Sequence, residues 1–157
     1  AAKVLDVGNG VFSAAGVNGN GIKVNFGDEV TKIPARLFSE CTGLISITIP
    51  DSVTSIGDSA FSGCTGLTSI IIRSGVTSIE SSAFFRCTGL TSITIPDSVT
   101  SIGSNAFIGC TGLTNVVFEN TIGWQVGGVV ISSESLSNPS TAATYLTSYR
   151  NSDWSRA

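Results

Sequence analysis

The sequence predicts a solenoid, a stack of 23-residue coils with a parallel β-sheet along one side, and three observations carry that prediction. Cys41, Cys64, Cys87 and Cys110 recur at a constant spacing of 23 residues, and each opens the same tetrapeptide, as in Cys64-Thr65-Gly66-Leu67. Apolar residues then fall on one template in every unit, shown by Leu44, Ile47, Ile49, Val53, Ile56, Ala60 and Phe61. Turn signals stand at fixed places between them, Pro50-Asp51-Ser52 in one unit and Pro96-Asp97-Ser98 two units later. Self-similarity at a fixed period means a unit that stacks on its own copies. One such coil buries too few apolar groups to offset the ordering of its backbone, whereas stacked neighbours seal both sides of every apolar layer.

The elements follow in chain order. Val4, Val7, Val11 and Phe12 match Val53, Ile56, Ala60 and Phe61, so residues 1–14 read as a partial N-terminal repeat. Residues 15–118 hold the repeats, with units starting near 18, 41, 64, 87 and 110. The first of these has Asn18 in place of the cysteine and Gly21 in place of the leucine, after a three-residue insertion in the Gly/Asn-rich stretch from Ala14 to Gly21. Within a unit, Leu44 to Ile49 reads as a strand, because Ile47 and Ile49 alternate and β-branched residues fill the rest. Pro50-Asp51-Ser52 turns the chain, since proline cannot donate to a ladder and aspartate bonds its own backbone. Val53 to Ile56 is a second extended segment. Gly57 to Phe61 reads as one helical turn with Asp58 as N-cap, a place held elsewhere by Asn9, Ser81 and Ser104.

From Glu119 the repeat dissolves and aromatic residues gather, so 119–157 reads as a C-terminal cap over the exposed edge of the last coil. Trp124 to Ile131 predicts a hairpin about Gly127-Gly128. Asn138-Pro139 predicts an N-cap and first helical residue, with Ala142, Tyr145, Leu146 and Tyr149 on one face of the helix.

Composition narrows the function. Charged residues make up 12% of the chain, about half the usual share of roughly 25%, and mean hydropathy is +0.36. The surface is therefore mostly neutral. Net charge is −3 with no basic block, which argues against capture of nucleic acid or anionic lipid. There is no histidine, which removes the commonest general base and transition-metal ligand. No apolar run approaches the length that spans a bilayer. The start, Ala1-Ala2-Lys3, reads as that of a trimmed fragment or mature chain.

The residues that invite chemistry have plainer readings. The cysteines sit one per coil in the same apolar register, with parallel Cα–Cβ vectors that hold the Cβ atoms farther apart than a disulfide needs; they read as buried free thiols. A zinc site wants a CxxC pair or a histidine partner, and neither exists. Asp28, Asp51 and Asp97 form a row, broken by Ser74, that suits calcium only with further oxygens; turn chemistry accounts for it. Serine and threonine recur by repeat position with no base beside any of them. The sequence therefore predicts no enzyme, no catalytic residue, no metal and no cofactor.

The unit Cys-Thr-Gly-Leu-Thr-Ser-Ile-Thr-Ile-Pro-Asp-Ser-Val-Thr-Ser-Ile-Gly, nearly intact from Cys87 to Gly103, contains the Leu-x-x-Ile-x-Ile template of leucine-rich repeats. In full it resembles the BspA-type leucine-rich repeat of bacterial and protist surface proteins, over residues 4–118, and the tail resembles that family's C-terminal cap. The fold class is then a leucine-rich-repeat solenoid: a right-handed stack of 23-residue repeats with a parallel β-sheet on the concave face, mostly β with short helical turns. The resemblance implies an extracellular or cell-surface location and an adhesion module that binds a protein partner, either host matrix or another cell-surface protein. Charge and the short apolar runs predict no nucleic acid partner and no membrane insertion, and a monomer is the favoured state.

Outward positions of the first strand are where a solenoid varies without disturbing its core. Most are Ser or Thr. Ile45, Ile71 and Val117 break the hydroxyl pattern, as do the amides Asn25 and Asn115, and Lys23 and Arg73 break its neutrality. Scattered apolar anchors with polar rims suit a protein partner, so these seven form the candidate binding face. Phe85 and Ile108, where other coils carry serine, form a second candidate patch on the outer side. Two other functions compete: a structural spacer or display stalk, favoured by near-identical central units, and glycan binding on the Ser/Thr ladder, which lacks aromatic platforms.

Overall fold

The computed structural model describes residues 22–24, 26–27 and 29–157. The partial repeat expected at 1–14 and the insertion between Ala14 and Gly21 lie outside the described residues. Each coil lays down a first strand and a two-residue second strand. The first strands are β1 (Ile22–Val24), β3 (Leu44–Ile49), β5 (Ser69–Ile72), β7 (Ser92–Ile95) and β9 (Asn115–Phe118). The second strands are β2 (Lys32–Ile33), β4 (Ser55–Ile56), β6 (Ser78–Ile79) and β8 (Ser101–Ile102). Neighbouring coils pair in parallel at the repeat spacing, Ile47 opposite Ile70 and Ile56 opposite Ile79. The leucine-rich-repeat solenoid read from the sequence is the fold.

Alternation explains which residues point inward. In β5, β7 and β9 every second side chain is buried, and Leu44, Leu67 and Leu90 are fully buried where each coil enters its first strand. One phenylalanine per coil forms a column through the core: Phe38, Phe61, Phe84 and Phe107 stack with centroids 5.2 Å apart and planes 1° to 13° from parallel. The threonines of the template have a matching role at the surface, since Thr54 and Thr77 each donate a hydroxyl proton to the threonine carbonyl of the preceding coil, at 3.1 Å.

The segment expected as a helical turn is built differently. Its N–H groups alternate in target: Leu37, Ser39 and Cys41 donate three residues back, while Arg36, Phe38 and Glu40 donate to Asp58, Ala60 and Ser62 of the next coil. A helix would point every N–H along its own axis. Alternation requires left-handed residues, and each coil has them at two places. Arg36, Ser59, Ser82 and Asn105 occupy one, at φ 55° to 60°, and Glu40, Gly63, Arg86 and Gly109 the other. Asp58 does not cap its own turn; its Oδ1 accepts from Ser81 N of the next coil at 3.1 Å. The result is a third coil-to-coil ladder beside the two strand ladders.

Beyond β9 the chain forms the hairpin β10 (Trp124–Val126) and β11 (Val129–Val130), two helices α1 (Ser133–Ser137) and α2 (Pro139–Ser148), and a final strand β12 (Trp154–Arg156). Gly127 and Gly128 both have positive φ, which the tight hairpin turn requires. Asn138 Oδ1 accepts from Ser140 N and Thr141 N, and Pro139 takes the first helical position, as the sequence predicts. The helices pack on β9, burying Ala142, Ala143 and Leu146. β12 inserts antiparallel between β8 and β10, so the second-strand sheet runs β2-β4-β6-β8-β12-β10-β11. Asp153 Oδ1 accepts from Ser104 N at 2.8 Å, the place that Asp58 fills one coil earlier.

Candidate functional site

The outward face of the first strands is where the candidate residues come to light. Ile45, Ile71 and Val117 are 43%, 54% and 42% exposed, on strands whose inward partners are buried. Arg73 and Asn115 are exposed as well. Asn25 and the side chain of Lys23 lie outside the described residues. Register sorts the others. Ile71 pairs with Thr48, and Val117 with Thr94, so Ile71 and Val117 share one row two coils apart. Asn115 stands opposite Ser92 in another row. Ile45 belongs to the opposite end of the strands, where its carbonyl accepts from Thr68 N. The structure therefore sets Ile71 and Arg73 in one groove, with Val117 two coils along the Ile71 row and Ile45 and Asn115 in other rows of the face.

The face is not one continuous sheet. β1, β3 and β5 form one hydrogen-bonded set and β7 and β9 another, with no ladder between β5 and β7. The same coils remain joined at the second strands, through β6 and β8, and at the turn ladder, where Phe61 N donates to Ala83 O. One strand-end donor is missing at this place, as it also is at Pro50, where β1 and β3 nevertheless pair. At the end of each first strand the next coil donates one N–H back, Arg73 to Ile49 O at 3.1 Å and Glu119 to Ile95 O at 3.0 Å. The equivalent donor to Ile72 O is residue 96, a proline without an N–H. Ile72 O therefore lacks the donor that Ile49 O and Ile95 O have at this place. A groove of about 460 Å³ opens there, lined by Asp51, Ile71, Ile72, Arg73, Thr94, Pro96 and Glu119 among others. A neighbouring groove of about 400 Å³ follows Pro50, and Ile71 lies between the two.

The charges around the seam are unevenly paired. Asp97 is bound by Arg156 from β12, Nη1 to Oδ1 at 2.9 Å, and by Asn120 Nδ2 at 2.9 Å. The hydrogen bond from Arg156, then that from Asn120, holds the Asp97 carboxyl below the usual range. Asp51 accepts from the Ser74 hydroxyl, and Glu119 Oε2 from Asp97 N. The Arg73 guanidinium makes no ion pair or side-chain hydrogen bond with the described residues. The aspartate row thus does turn and strand-end work, with Asp28 outside the described residues. Among those residues no group of three or more His, Cys, Asp or Glu stands close enough to hold a metal ion.

Two other expectations meet the coordinates. The thiols are buried, and Cys64, Cys87 and Cys110 donate from Sγ to the carbonyls of Phe38, Phe61 and Phe84 at 3.0 to 3.1 Å. Burial pushes the Cys64 thiol up to about 12. For Cys87 the hydrogen-bonding neighbour Cys110, followed by burial, pushes in the same direction. The outer patch needs correction. Phe85 is half-buried under the Arg86 guanidinium, 5.1 Å from its ring centroid, but Ile108 is buried at 6% exposure. The C-terminal segment reaches this side, where Asn151 N donates to Asn105 Oδ1 and Asn105 Nδ2 to Asn151 Oδ1. That contact spans 46 residues and has no local sequence signal. Sequence reasoning also missed the seam, although the column Pro50, Arg73, Pro96, Glu119 holds its signal: only alternate coils supply an N–H.

Fold and site together define a repeat protein with an exposed first-strand face. The family model of the BspA type leucine rich repeat region matches residues 7–137 in six copies, and the chain belongs to that family. Among solved structures it is similar to a leucine rich cell surface protein from Faecalibacterium prausnitzii A2-165, at 42% identity and TM-score 0.56, over 58% of this chain and 24% of that one. A leucine-rich repeat protein from Bacteroides ovatus ATCC 8483 is 36% identical with TM-score 0.55, over 70% of this chain and 30% of that one. The pneumococcal vaccine antigen PcpA is 33% identical with TM-score 0.53, over 59% of this chain and 23% of that one. The chain spans about a quarter of the length of the first of these relatives. No curated protein matches. No helix among the described residues is long and apolar enough to cross a membrane.

Proposed function

We propose that this chain is a non-enzymatic, extracellular protein-binding module, part of a cell-surface protein, whose first-strand face docks a host matrix protein or another cell-surface protein. One observation carries the reading: Ile45, Ile71 and Val117 project from a face that presents mostly hydroxyls. A strand surface kept only for solubility has no use for them, whereas apolar anchors among polar groups are the pattern of an interaction site. The relatives described as a cell surface protein and a vaccine antigen support the location. In this reading residues 15–118 supply the face, 1–14 begin the stack and 119–157 cap it. The test compares wild type with Ile45→Asp/Ile71→Asp, at matched melting temperature, on immobilised matrix proteins. Saturable binding lost in the variant supports the proposal. Absence of any saturable binding favours the spacer reading, which rests on the near-identity of the central coils.

A further inference from the structure

We infer that the seam between β5 and β7 is a docking slot for one kind of occupant, a polyproline-II segment of a partner protein carrying an acidic and a basic residue three positions apart. The inference rests on the protein-binding reading of this face and names the chemistry of the partner. Three groups around the seam are open to a ligand. Pro96 supplies no N–H to Ile72 O; Arg73 makes no ion pair with the described residues; Ile71 is 54% exposed beside both. Glu119 lines the same groove and stands in the same repeat column as Arg73 and Pro96, one carboxylate oxygen engaged by Asp97 N. A ligand crossing the strands along the stack therefore meets a cation at Arg73, a bare carbonyl at the seam and an anion at Glu119.

Spacing selects the conformation of that ligand. Arg73 and Glu119 are two coils apart, about 10 Å at the 5.2 Å coil repeat. A β-strand covers about 10 Å in three residues but turns residues i and i+3 to opposite faces. A polyproline-II helix advances about 9.3 Å in three residues and returns to the same face, with its backbone N–H groups unpaired and free to donate. One acidic side chain then reaches Arg73, one basic side chain reaches Glu119, and an N–H between them meets Ile72 O. Of the other carboxylates of the groove, Asp97 is paired with Arg156, while Asp51 accepts one hydrogen bond from the Ser74 hydroxyl and keeps its charge.

The probe is the fluorescein-labelled peptide Pro-Pro-Glu-Pro-Ala-Lys-Pro-Pro, titrated by anisotropy at low salt beside Glu/Glu and Lys/Lys versions of the same length. Wild type is expected to bind the Glu/Lys probe about tenfold or more tightly than either like-charge probe, as one lost ion pair of modest strength implies. Arg73→Glu is expected to lose the Glu/Lys probe and prefer Lys/Lys. Arg73→Glu/Glu119→Arg is expected to recover Glu/Lys binding by accepting the peptide in the opposite direction. Pro96→Thr, which supplies the missing N–H to Ile72 O, is expected to weaken binding with both charges in place. Equal binding of the three probes, no recovery in the double variant, or full binding by Pro96→Thr would overturn the slot. If the probe does not bind while Ile45→Asp/Ile71→Asp still abolishes binding to matrix proteins, the slot fails and the protein-binding face stands. If neither binding occurs, both fail.

Discussion

Replacing Phe84 with alanine tests the core most severely. Its ring is fully buried and sandwiched between Phe61 and Phe107, both at 5.2 Å. Removing a buried phenylalanine costs about 3–5 kcal/mol, the value rising with the cavity left behind. Here the cavity has little means of collapse. The coils on either side are held at fixed spacing by backbone bonds next to the ring, Phe61 N to Ala83 O and Phe84 N to Ala106 O, each 2.8 Å. The loss should therefore lie near the upper end, about 4–5 kcal/mol, a large share of the roughly 5–15 kcal/mol typical of a domain. Phe85 next to it is half-buried under Arg86, and Phe85→Ala should cost about 1 kcal/mol. Urea unfolding followed by circular dichroism and by the fluorescence of Trp124 and Trp154 measures both variants. A cost for Phe84→Ala below about 2 kcal/mol, or no greater than that for Phe85→Ala, would refute the stacked column as the core.

Other consequences are as direct. Asp97 has its pKa depressed in the folded chain, so the stability it contributes is present above the unfolded carboxylate value and lost as pH falls through the folded one; Arg156→Gln should flatten that acid limb of a melting-temperature profile below about pH 4. Cys64 has its pKa raised to about 12, so its contribution is intact below the unfolded value and lost as pH rises from about 9 towards 12. Native protein should resist thiol reagents at pH 8, and all four cysteines should react once urea unfolds it, as a colorimetric titration would show. Gly75→Ala should destabilise by about 1–3 kcal/mol in the same urea assay, because a Cβ at that position runs into the Asp51 carbonyl of the preceding coil.

What was legible in the sequence follows from what is local. The period, the strands at Leu44–Ile49 and its copies, the phenylalanine column and the Asn138-Pro139 helix start each depend on neighbours within a few residues or on the repeat itself. The segment Gly57–Phe61 misled because a capping residue before Ala-Phe looks like a helix start, whereas left-handed residues such as Ser59 turn alternate N–H groups towards the next coil. Strand β12 and the Arg156–Asp97 pair were hidden, since 59 residues separate those partners. Ile108 was misplaced for the same reason. Of the candidate face, exposure of Ile45, Ile71 and Val117 was readable from alternation. The missing strand-end donor beneath Ile71 was encoded in Pro96 and becomes visible only when proline is read as a missing donor to the coil before it.

The most direct test of the central proposal is saturable binding of the purified chain to immobilised extracellular-matrix proteins, measured beside Ile45→Asp/Ile71→Asp with the melting temperature of each recorded. The protein-binding reading predicts saturable binding by the wild type that the variant loses while its melting temperature stays unchanged. Binding that survives in the variant, or no binding by the wild type, would contradict it.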